Sequence, residues 1–373
     1  MSKREIGIGI VGCGFFGREF ARQIGESAGM RLAAVYGGRN AAETAREGGC
    51  QLAASVEALV AMPEVEAIVV ASPNHLHREP VLLAAAAGKH VFCEKPIALT
   101  AAACAEMLAA CREAGVVFMA GHILRVMPGI ARLRERIEAG AIGRPIVGHA
   151  ERTGWERPAS PQEWKKDTAK SGGHLFHHIH ELDLLIAIMG PVSRVYTAGG
   201  RLAHPEGLQD DVLLLTLEFA GGGVGTMQYG SGFRAGEHKL VVNGTEGYAQ
   251  IDFQRSRIRL AGPAGEETFG CSLDEDQDRD RAALYERLDG GVIHGNPSLR
   301  PPEFLRVLMK REMEIFAEAA RSGQTPAPLA ALFDGSAALQ SVAAAGAAMA
   351  ALDAGAPVAV GADPAGLAGG SGA

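Results

Sequence analysis

The chain has 373 residues, a formal net charge of -7, 47% apolar residues and 21% charged residues. This length predicts two or three domains with a large core, and the composition is that of an ordinary globular protein. A net negative charge without a lysine or arginine run argues against nucleic acid and anionic membrane surfaces as partners. Six cysteines without CxxC spacing indicate free thiols, and the N-terminal segment lacks the apolar region of a signal peptide. We therefore expect a cytoplasmic protein.

Residues 6–120 alternate short apolar runs with helical stretches. Strands are predicted at 6–11, 31–36, 67–71, 90–93 and 116–120. Helices are predicted at 16–24, 41–47, 56–61, 80–87 and 100–114, the last with Thr100 as its N-cap. Continuously apolar strands separated by helices indicate a parallel sheet covered on both faces, which is the doubly wound α/β plan.

The pattern changes after a bridging helix at 129–138. Strands are predicted at 145–152, 192–200, 211–219, 224–229, 239–242, 248–253 and 257–260. Hairpin turns are expected at Gly221-Gly222-Gly223 and Asn243-Gly244, and one helix at 174–188. This part is therefore predicted to be an α+β domain with a large, mostly antiparallel open sheet.

The end of the chain predicts two helices, at 303–321 and 334–352. The second is alanine-rich and long enough to consider as a membrane span, but its small residues and the interruption at Gln340 and Ser341 favour a packed helix. We expect it to pack back on the first domain. The domains are accordingly predicted at 1–124 and 125–360, with a disordered Gly/Ala/Ser-rich tail at 361–373.

A glycine motif follows the first predicted strand and opens the first helix. Gly12-Cys13-Gly14-Phe15-Phe16-Gly17 fits G-x-G-x-x-G in the strand–turn–helix context that a dinucleotide site needs. Gly12 permits the tight turn, Gly14 lets the backbone approach a pyrophosphate, and Gly17 lets the helix pack close to the strand. The motif, with Phe15 and Phe16, predicts a dinucleotide-binding site.

The end of the second predicted strand informs the choice of cofactor. NAD-preferring enzymes usually place an acid there, about 20 residues after the glycine motif, to hold the ribose hydroxyls. This chain has Tyr36-Gly37-Gly38-Arg39-Asn40 instead. Because no carboxylate repels a 2′-phosphate and Arg39 could pair with it, we expect NADP to be favoured over NAD, with Gly38 and Arg39 at the cofactor. The alternative is that Arg39 is a solvated loop charge.

Two further strand ends complete a pattern over the first domain. One carries Ser72-Pro73-Asn74-His75-Leu76-His77, and one β/α unit later the chain reads Glu94-Lys95-Pro96. With the glycine motif, these segments resemble the glucose–fructose oxidoreductase/inositol dehydrogenase (Gfo/Idh/MocA) family. The resemblance extends through the second-domain helix to Pro326 and Asp334-Gly335, and so covers nearly the entire chain. It implies a Rossmann domain, and a homodimer or homotetramer formed through the exposed face of the second sheet.

The resemblance also implies roles for individual residues. Lys95 would sit beside the nicotinamide and contact the substrate hydroxyl. Cofactor contacts would come from Glu94, Pro96, Ser72, Pro73, Asn74 and His77. Arg125 would anchor a polar or anionic substrate group, although an interdomain salt bridge is an equal alternative. The chemistry of lysine agrees, because burial readily shifts its pKa and lets it exchange a proton with an alcohol. The alternative for Lys95 is a purely structural pairing with Glu94 or an aspartate.

A histidine-rich segment, Gly173-His174-Leu175-Phe176-His177-His178-Ile179-His180-Glu181-Leu182-Asp183, is the most informative part of the second domain. It resembles the family helix that carries an aspartate, a histidine four residues later and an aspartate three further on. Anchored on His180 and Asp183, the family's aspartate position holds Phe176. Counted from the glycine pair instead, His177 takes the aspartate position and Glu181 the histidine position, so either the usual acid is missing or one residue has been lost from the helix start. We expect His180 to transfer the proton and His177 to orient the substrate, since histidine titrates near neutral pH.

Other readings of the same region remain open. The i,i+4 pairs formed by His174 with His178 and by His177 with Glu181 suit metal ligands, which makes His177, His178 and Glu181 a minor alternative to a metal-free site. Most of these histidines could instead be packing or surface residues. Trp155 and Trp164, in the loop before the helix, could stack on a sugar ring, and His178 could contact it; alternatively, the two tryptophans only anchor the loop.

The sequence therefore predicts an NAD(P)-dependent oxidoreductase that transfers hydride between the nicotinamide and a secondary alcohol or ketone of a sugar, cyclitol or related polyol. One alternative keeps the cofactor tightly bound and uses a transient oxidation to permit elimination, giving a net hydrolase or lyase. Another is a non-catalytic nucleotide-sensing protein of the same fold.

Overall fold

The computed structural model describes residues 4–156, 164–287 and 300–361. The contacts divide the chain into two compact units. The first comprises Met1–Val126 with His294–Leu339, and the second comprises Met127–Ile293 with Gln340–Ala373. The predicted disordered tail, apart from Gly361, lies outside the described residues.

The N-terminal part of the first unit alternates strands and helices. Its elements are β1 (Ile6–Val11), α1 (Phe15–Gly25), β2 (Met30–Tyr36), α2 (Ala41–Gly48), β3 (Gln51–Leu52), α3 (Val56–Val60), β4 (Ala67–Val70), α4 (Arg78–Ala86), β5 (His90–Glu94), α5 (Ala101–Glu113) and β6 (Phe118–Gly121). The strands form one parallel sheet in the order β3-β2-β1-β4-β5-β6. The order reverses at β1 and β4, so the carboxyl ends of these strands form the switch point where doubly wound folds bind ligands.

The second unit contains a larger sheet. Its elements up to residue 287 are α6 (Pro128–Glu138), β7 (Pro145–Thr153), α7 (Thr168–Ser171), α8 (His174–His177), α9 (His180–Met189), β8 (Val192–Gly200), β9 (Val212–Phe219), β10 (Val224–Gly230), β11 (His238–Gly244), β12 (Tyr248–Asp252), β13 (Arg257–Gly262), β14 (Gly265–Gly270) and α10 (Glu275–Glu286). With a short final strand, the described part of the sheet has nine strands in the order β14-β13-β12-β11-β7-β10-β9-β8-β15. All its pairs are antiparallel except β7 with β10.

The chain then returns to the first unit. This segment carries α11 (Glu303–Ser322) and α12 (Ala330–Phe333), and is followed by α13 (Ser336–Ala354) and β15 (Val358–Ala359). The apolar face of α11 joins the core of the first unit, where the rings of Phe316, Phe92 and Phe20 pack in sequence at centroid distances of 5.9 and 5.5 Å. α13 is long and apolar enough to cross a membrane, but half of its most apolar stretch is buried inside the protein, as in the core helix of a globular fold.

The predicted fold class is confirmed: a doubly wound parallel sheet and a mostly antiparallel one. Thr100 is the N-cap of α5, as predicted, and its side chain accepts a hydrogen bond from the Ala103 amide. The turn predicted at Asn243-Gly244 is wrong, because β11 runs through Gly244 and turns at the next three residues. The prediction of one continuous helix at 174–188 is also wrong, since α8 and α9 are separated at His178 and Ile179.

Candidate functional site

The glycine motif forms the turn from β1 into α1. Gly12 has φ +102°, and a Cβ there would lie 2.5 Å from the Ser72 amide nitrogen. A Cβ at Gly17 would collide with the Gly12 carbonyl oxygen, whereas a Cβ at Gly14 would meet nothing within 4 Å. Gly12 and Gly17 are therefore required because backbone atoms of the protein itself leave no room for a side chain at either position. Gly14 borders open space at the start of α1, where no side chain caps the helix and the backbone N–H groups attract a phosphate.

The turn at Gly12–Gly17 and the strand ends beside it form the candidate phosphate-binding surface, here called the cradle. The amides of Gly12 and Cys13 donate to the carbonyls of Tyr36 and Gly37, each at 2.8 Å, which fixes the turn against the end of β2. Gly38 and Arg39 are exposed beside it, and Phe15 and Phe16 are half-buried. The Ser72 hydroxyl is buried and has no hydrogen-bond partner among the described residues. An open backbone turn with a buried, unpartnered hydroxyl beside it fits a dinucleotide.

His77 joins two of the predicted segments. Its Nε2 lies 2.7 Å from the Ser72 carbonyl oxygen, and its Nδ1 lies 3.0 Å from that of Pro96. Burial lowers the pKa of His77 to about 4, against the opposing effect of the two carbonyls, so the ring is neutral near pH 7 and has one N–H to donate. The ring therefore holds the turn of Ser72, Pro73 and the buried Asn74 beside Pro96. Its direct contact with a cofactor stays a prediction.

Lys95 follows the last residue of β5 and is half-buried. Its backbone amide donates to Oε2 of Glu94 at 3.1 Å, and the Lys95–Pro96 peptide bond is cis. Burial raises the pKa of Glu94 to about 7, against the lowering effect of the Lys95 charge. A lysine beside a carboxyl that titrates near neutral pH is suited to exchanging protons with an alcohol. Arg125 is buried in the 3-10 helix Ile123–Val126 of the same unit, and its contact with substrate stays a prediction.

The histidine-rich segment of the second unit divides into buried and accessible side chains. His174 and His178 are buried with stacked rings, and His174 Nε2 lies 2.9 Å from the Ser231 hydroxyl. His177 and His180 are half-buried, and Nδ1 of each ring is inaccessible to solvent. Phe176 is buried against Gly172, which explains an apolar residue where the family places an acid. The meeting of His180 and Lys95 on one substrate stays a prediction.

The sequence named Glu181 only as an alternative metal ligand, and did not predict the buried network that it joins. Its carboxylate is completely buried, with Oε1 lying 3.1 Å from Arg152 Nη1 and 2.7 Å from His238 Nε2. Its Oε2 lies 2.6 Å from the Tyr229 hydroxyl, which also contacts the His178 carbonyl where α8 ends. Burial alone would raise the pKa of Glu181, but the Arg152 charge and the His238 hydrogen bond outweigh it and hold that pKa well below its usual range.

This buried network explains the break between α8 and α9. Tyr229 engages the carbonyl of His178, and Glu181 lies in the first turn of α9, directly after His180. The network thus fixes the backbone on both sides of His180. Glu181 is already engaged by three side chains, and the described residues contain no group of three or more His, Cys, Asp or Glu that could hold a metal ion.

The two tryptophans have close neighbours of their own. The Arg234 guanidinium lies 3.4 Å from the centroid of one Trp155 ring, and the His204 ring lies 4.9 Å away. Trp164 meets His177 edge to face, with a centroid distance of 6.0 Å. The Arg234 guanidinium therefore occupies one face of this Trp155 ring, and a sugar could stack on that face only if Arg234 moved. Trp164 is the better placed of the two for a ligand near His177, and both contacts stay predictions.

Comparison with known proteins identifies the family. Residues 6–122 match the Gfo/Idh/MocA model described as "Oxidoreductase family, NAD-binding Rossmann fold". Residues 134–360 match the model described as "Oxidoreductase family, C-terminal alpha/beta domain".

Individual relatives agree in fold and length. A 2,7-anhydro-N-acetylneuraminate hydratase of Escherichia coli is 39% identical over 92% of this chain and 94% of its own. A 1,5-anhydro-D-fructose reductase of Ensifer adhaerens is 33% identical over 70% of this chain and 79% of its own. The structure of levoglucosan dehydrogenase with NADH and levoglucosan superimposes with a TM-score of 0.78 at 22% identity, covering 96% of this chain and 100% of that one. From the glycine cradle, the Glu94-Lys95-Pro96 strand end and both family models, the chain is an oxidoreductase that belongs to the Gfo/Idh/MocA family.

Proposed function

We propose that this protein opens the internal anhydro bridge of a sugar acid of the 2,7-anhydro-N-acetylneuraminate type in a redox-neutral cycle. The observation that carries the proposal is the Glu94-Lys95-Pro96 strand end, intact in a chain 39% identical to a hydratase over nearly its whole length. A hydratase adds water without net oxidation. If such an enzyme has the fold of an NAD-dependent oxidoreductase, any oxidation of its substrate must be reversed within the same catalytic cycle.

The proposed cycle balances as follows. A ring hydroxyl is oxidised to a ketone, which acidifies the neighbouring C–H. Loss of that proton expels the bridging oxygen from the next carbon, water adds to the resulting double bond, and the ketone is reduced again. One molecule of water is gained in total. The Gly12–Gly17 turn would hold the phosphates of a nicotinamide dinucleotide, which when bound would supply reversible hydride transfer.

The chain's own residues supply proton transfers and positioning. Lys95 takes the hydroxyl proton as the ketone forms and returns it when the ketone is reduced. His180 removes the C–H proton and protonates the departing oxygen, since a histidine serves as both base and acid near neutral pH. His177 orients the substrate from the preceding short helix.

The first prediction tests the redox-neutral cycle. Incubated with 2,7-anhydro-N-acetylneuraminate and a catalytic amount of NAD(P), the protein should form a product with one added water and cause no net change in NAD(P)H absorbance. In deuterated water, deuterium should enter the carbon next to the transient ketone. Omission of the dinucleotide is the control. NAD(P)H formation equal to the substrate consumed would instead support the second candidate, a simple dehydrogenase, which the reductase relative favours.

The second prediction concerns cofactor choice, for which we propose NADP over NAD. The strand end Tyr36-Gly37-Gly38 carries no carboxylate, and Arg39 is exposed beside the cradle. A charge-assisted hydrogen bond contributes about 1.5–3 kcal/mol, so Arg39→Ala should raise the Kd for NADP by about 10- to 100-fold and leave that for NAD nearly unchanged. Calorimetry measures both, with Arg46→Ala on the exposed side of α2 as the matched control. Equal loss for both dinucleotides, or a wild-type preference for NAD, would contradict the assignment.

A further inference from the structure

Glu312 is a buried carboxyl group that the proposed reaction does not use. It lies on the apolar face of α11, beside Met313 and one turn before Phe316, and is completely inaccessible to solvent. Neither of its carboxyl oxygens has a hydrogen-bond partner among the described residues. An ionised carboxylate in such surroundings is strongly disfavoured, so Glu312 requires a proton or a compensating neighbour.

The direction of α11 places Glu312 against the end of β5. Arg321, near the end of α11, donates to the Gly29 carbonyl at 2.7 Å, just before β2 begins. Arg300, just before α11, pairs with Glu19 in α1, whose start lies at the carboxyl edge of the sheet. α11 therefore runs antiparallel to the strands of the first unit.

The Phe316–Phe92 contact then sets the register. Four residues back along α11 is a rise of about 6 Å, and two residues forward along β5 is about 6.6 Å on the same face. These two steps lead from the phenylalanine pair to Glu312 and Glu94, which are thereby brought together. Gly121 leaves space beside them, since a Cβ there would lie 3.3 Å from the Glu94 Cα.

The electrostatics agree with this placement. Burial, and then the charge of Glu94, raises the pKa of Glu312 well above its ordinary value. Glu94 in turn has a raised pKa and accepts the amide of Lys95. The elements around α11 carry further titratable or charged groups: His90 and Cys93 of β5, Arg18, Glu19 and Arg22 of α1, His122 after β6, and Arg125 in the short helix that contacts α11.

We propose that Glu94 and Glu312 together bind a single proton near neutral pH, and that this carboxyl pair is a positioning device that sets the charge beside Lys95. The role at Lys95 rests on the proposed function. With one shared proton, the pair carries a single negative charge, which matches the ammonium form of Lys95. When Lys95 is neutral, protonation of Glu94 is favoured over protonation of Glu312, because the positive charge that stabilised ionised Glu94 is gone. The pair keeps its one proton throughout. The negative charge on Glu94, next to the lysine, therefore decreases when Lys95 loses its positive charge.

The third prediction is a coupled titration of this pair, measured on the full-length protein without cofactor or substrate. Infrared difference spectroscopy follows the C=O stretch of protonated carboxyl groups against pH. The wild type should lose this signal in two separated steps. In Glu312→Gln and in Glu94→Gln, the remaining carboxyl should titrate in one step, at lower pH than the upper wild-type step, because its like-charged neighbour is gone. Glu314→Gln, on the exposed side of α11, is the control and should titrate as the wild type does.

Thermal unfolding gives an independent readout of the same group. Because the folded-state pKa of Glu312 is raised above its ordinary value of 4.5, the unfolded chain loses this proton first as the pH rises. The contribution of Glu312 to stability therefore falls with increasing pH above that value. The Tm of Glu312→Gln relative to the wild type should rise steadily across this range. Glu312→Met, which also cannot titrate, should show the same slope and serves if the glutamine variant does not fold.

Two outcomes would overturn the proposal. One is a remaining carboxyl that titrates at the wild-type upper step in both single variants, because the groups would then be independent. The other is a Tm difference that does not change with pH. Neither measurement involves turnover, so each tests the carboxyl pair even if the proposed catalytic function is wrong. If the proposed function holds, kcat/KM should show an apparent pKa from the Glu94–Glu312 pair, and this pKa should be lower in Glu312→Gln than in the wild type. The Kd for the dinucleotide should stay unchanged.

Discussion

Lys95→Ala is expected to lower kcat by about 10²–10⁴-fold, the usual contribution of a positioned proton-transfer group. Dinucleotide binding should persist, because the proposed phosphate contacts come from backbone N–H groups at Gly14 and the start of α1. The measurements are turnover of the anhydro sugar and calorimetry with NAD(P).

The matched control is Lys89→Ala, a half-buried lysine just before β5 whose ammonium lies 3.4 Å from the Met62 carbonyl oxygen. It should keep near-wild-type kcat. Lys95→Arg should remain impaired, because a guanidinium keeps the charge but does not deprotonate near neutral pH. A Lys95→Ala variant with undiminished kcat would falsify the assignment of Lys95. Lost dinucleotide affinity would instead indicate that Lys95 only supports the cradle.

Arg152→Met is expected to destabilise the second unit by about 3–5 kcal/mol, because it leaves the Glu181 carboxylate buried without its cation. Urea unfolding, followed by circular dichroism, measures the change. The double variant Arg152→Met/Glu181→Leu should recover much of this loss, since it removes both charges together. A double variant at least as unstable as the single one would show that shape at this site, and not charge, decides stability.

The control for this network is an exposed ion pair in the same sheet. Arg194 of β8 and Glu218 of β9 lie 2.6 Å apart with both side chains largely in solvent, so Arg194→Ala should change stability far less. Folded Arg152→Met should also turn over more slowly than wild type, because the Glu181 network holds the backbone around His180. Unchanged kcat in a destabilised variant would limit this network to a structural role.

Local patterns were sufficient to predict most of the alternating strands and helices of residues 6–121 and the motifs at their strand ends. The strand–turn–helix of the Gly12 motif and the Glu94-Lys95-Pro96 strand end are contiguous in the chain, so their residues and their structural context can be read together. Their placement at the carboxyl edge follows from the doubly wound plan. The missed elements, such as the two-residue β3 and the helix α10, have weak or absent apolar periodicity.

The histidine-rich segment shows where local patterns fail. Its i,i+4 spacing predicts one helix, but the Tyr229 hydroxyl engages the carbonyl of His178, and Arg152, Tyr229 and His238 come from three separate strands. One signal for Glu312 was present, since it interrupts an otherwise apolar stripe formed by Leu308, Met309, Met313 and Phe316. Its partner could not be read from that stripe.

The sequence alone determined the class of sheet in each domain, the dinucleotide turn and the lysine at the strand end, because hydrophobic period and turn chemistry act within about one turn or strand. Only the tertiary structure showed that α11 and α12 belong to the first unit, that the face of α11 carrying Glu312 packs through Phe316 on Phe92 of β5, and that Glu181 lies in a buried network. Those relations join residues far apart in the chain. They depend on which faces pack together, and no local pattern specifies that.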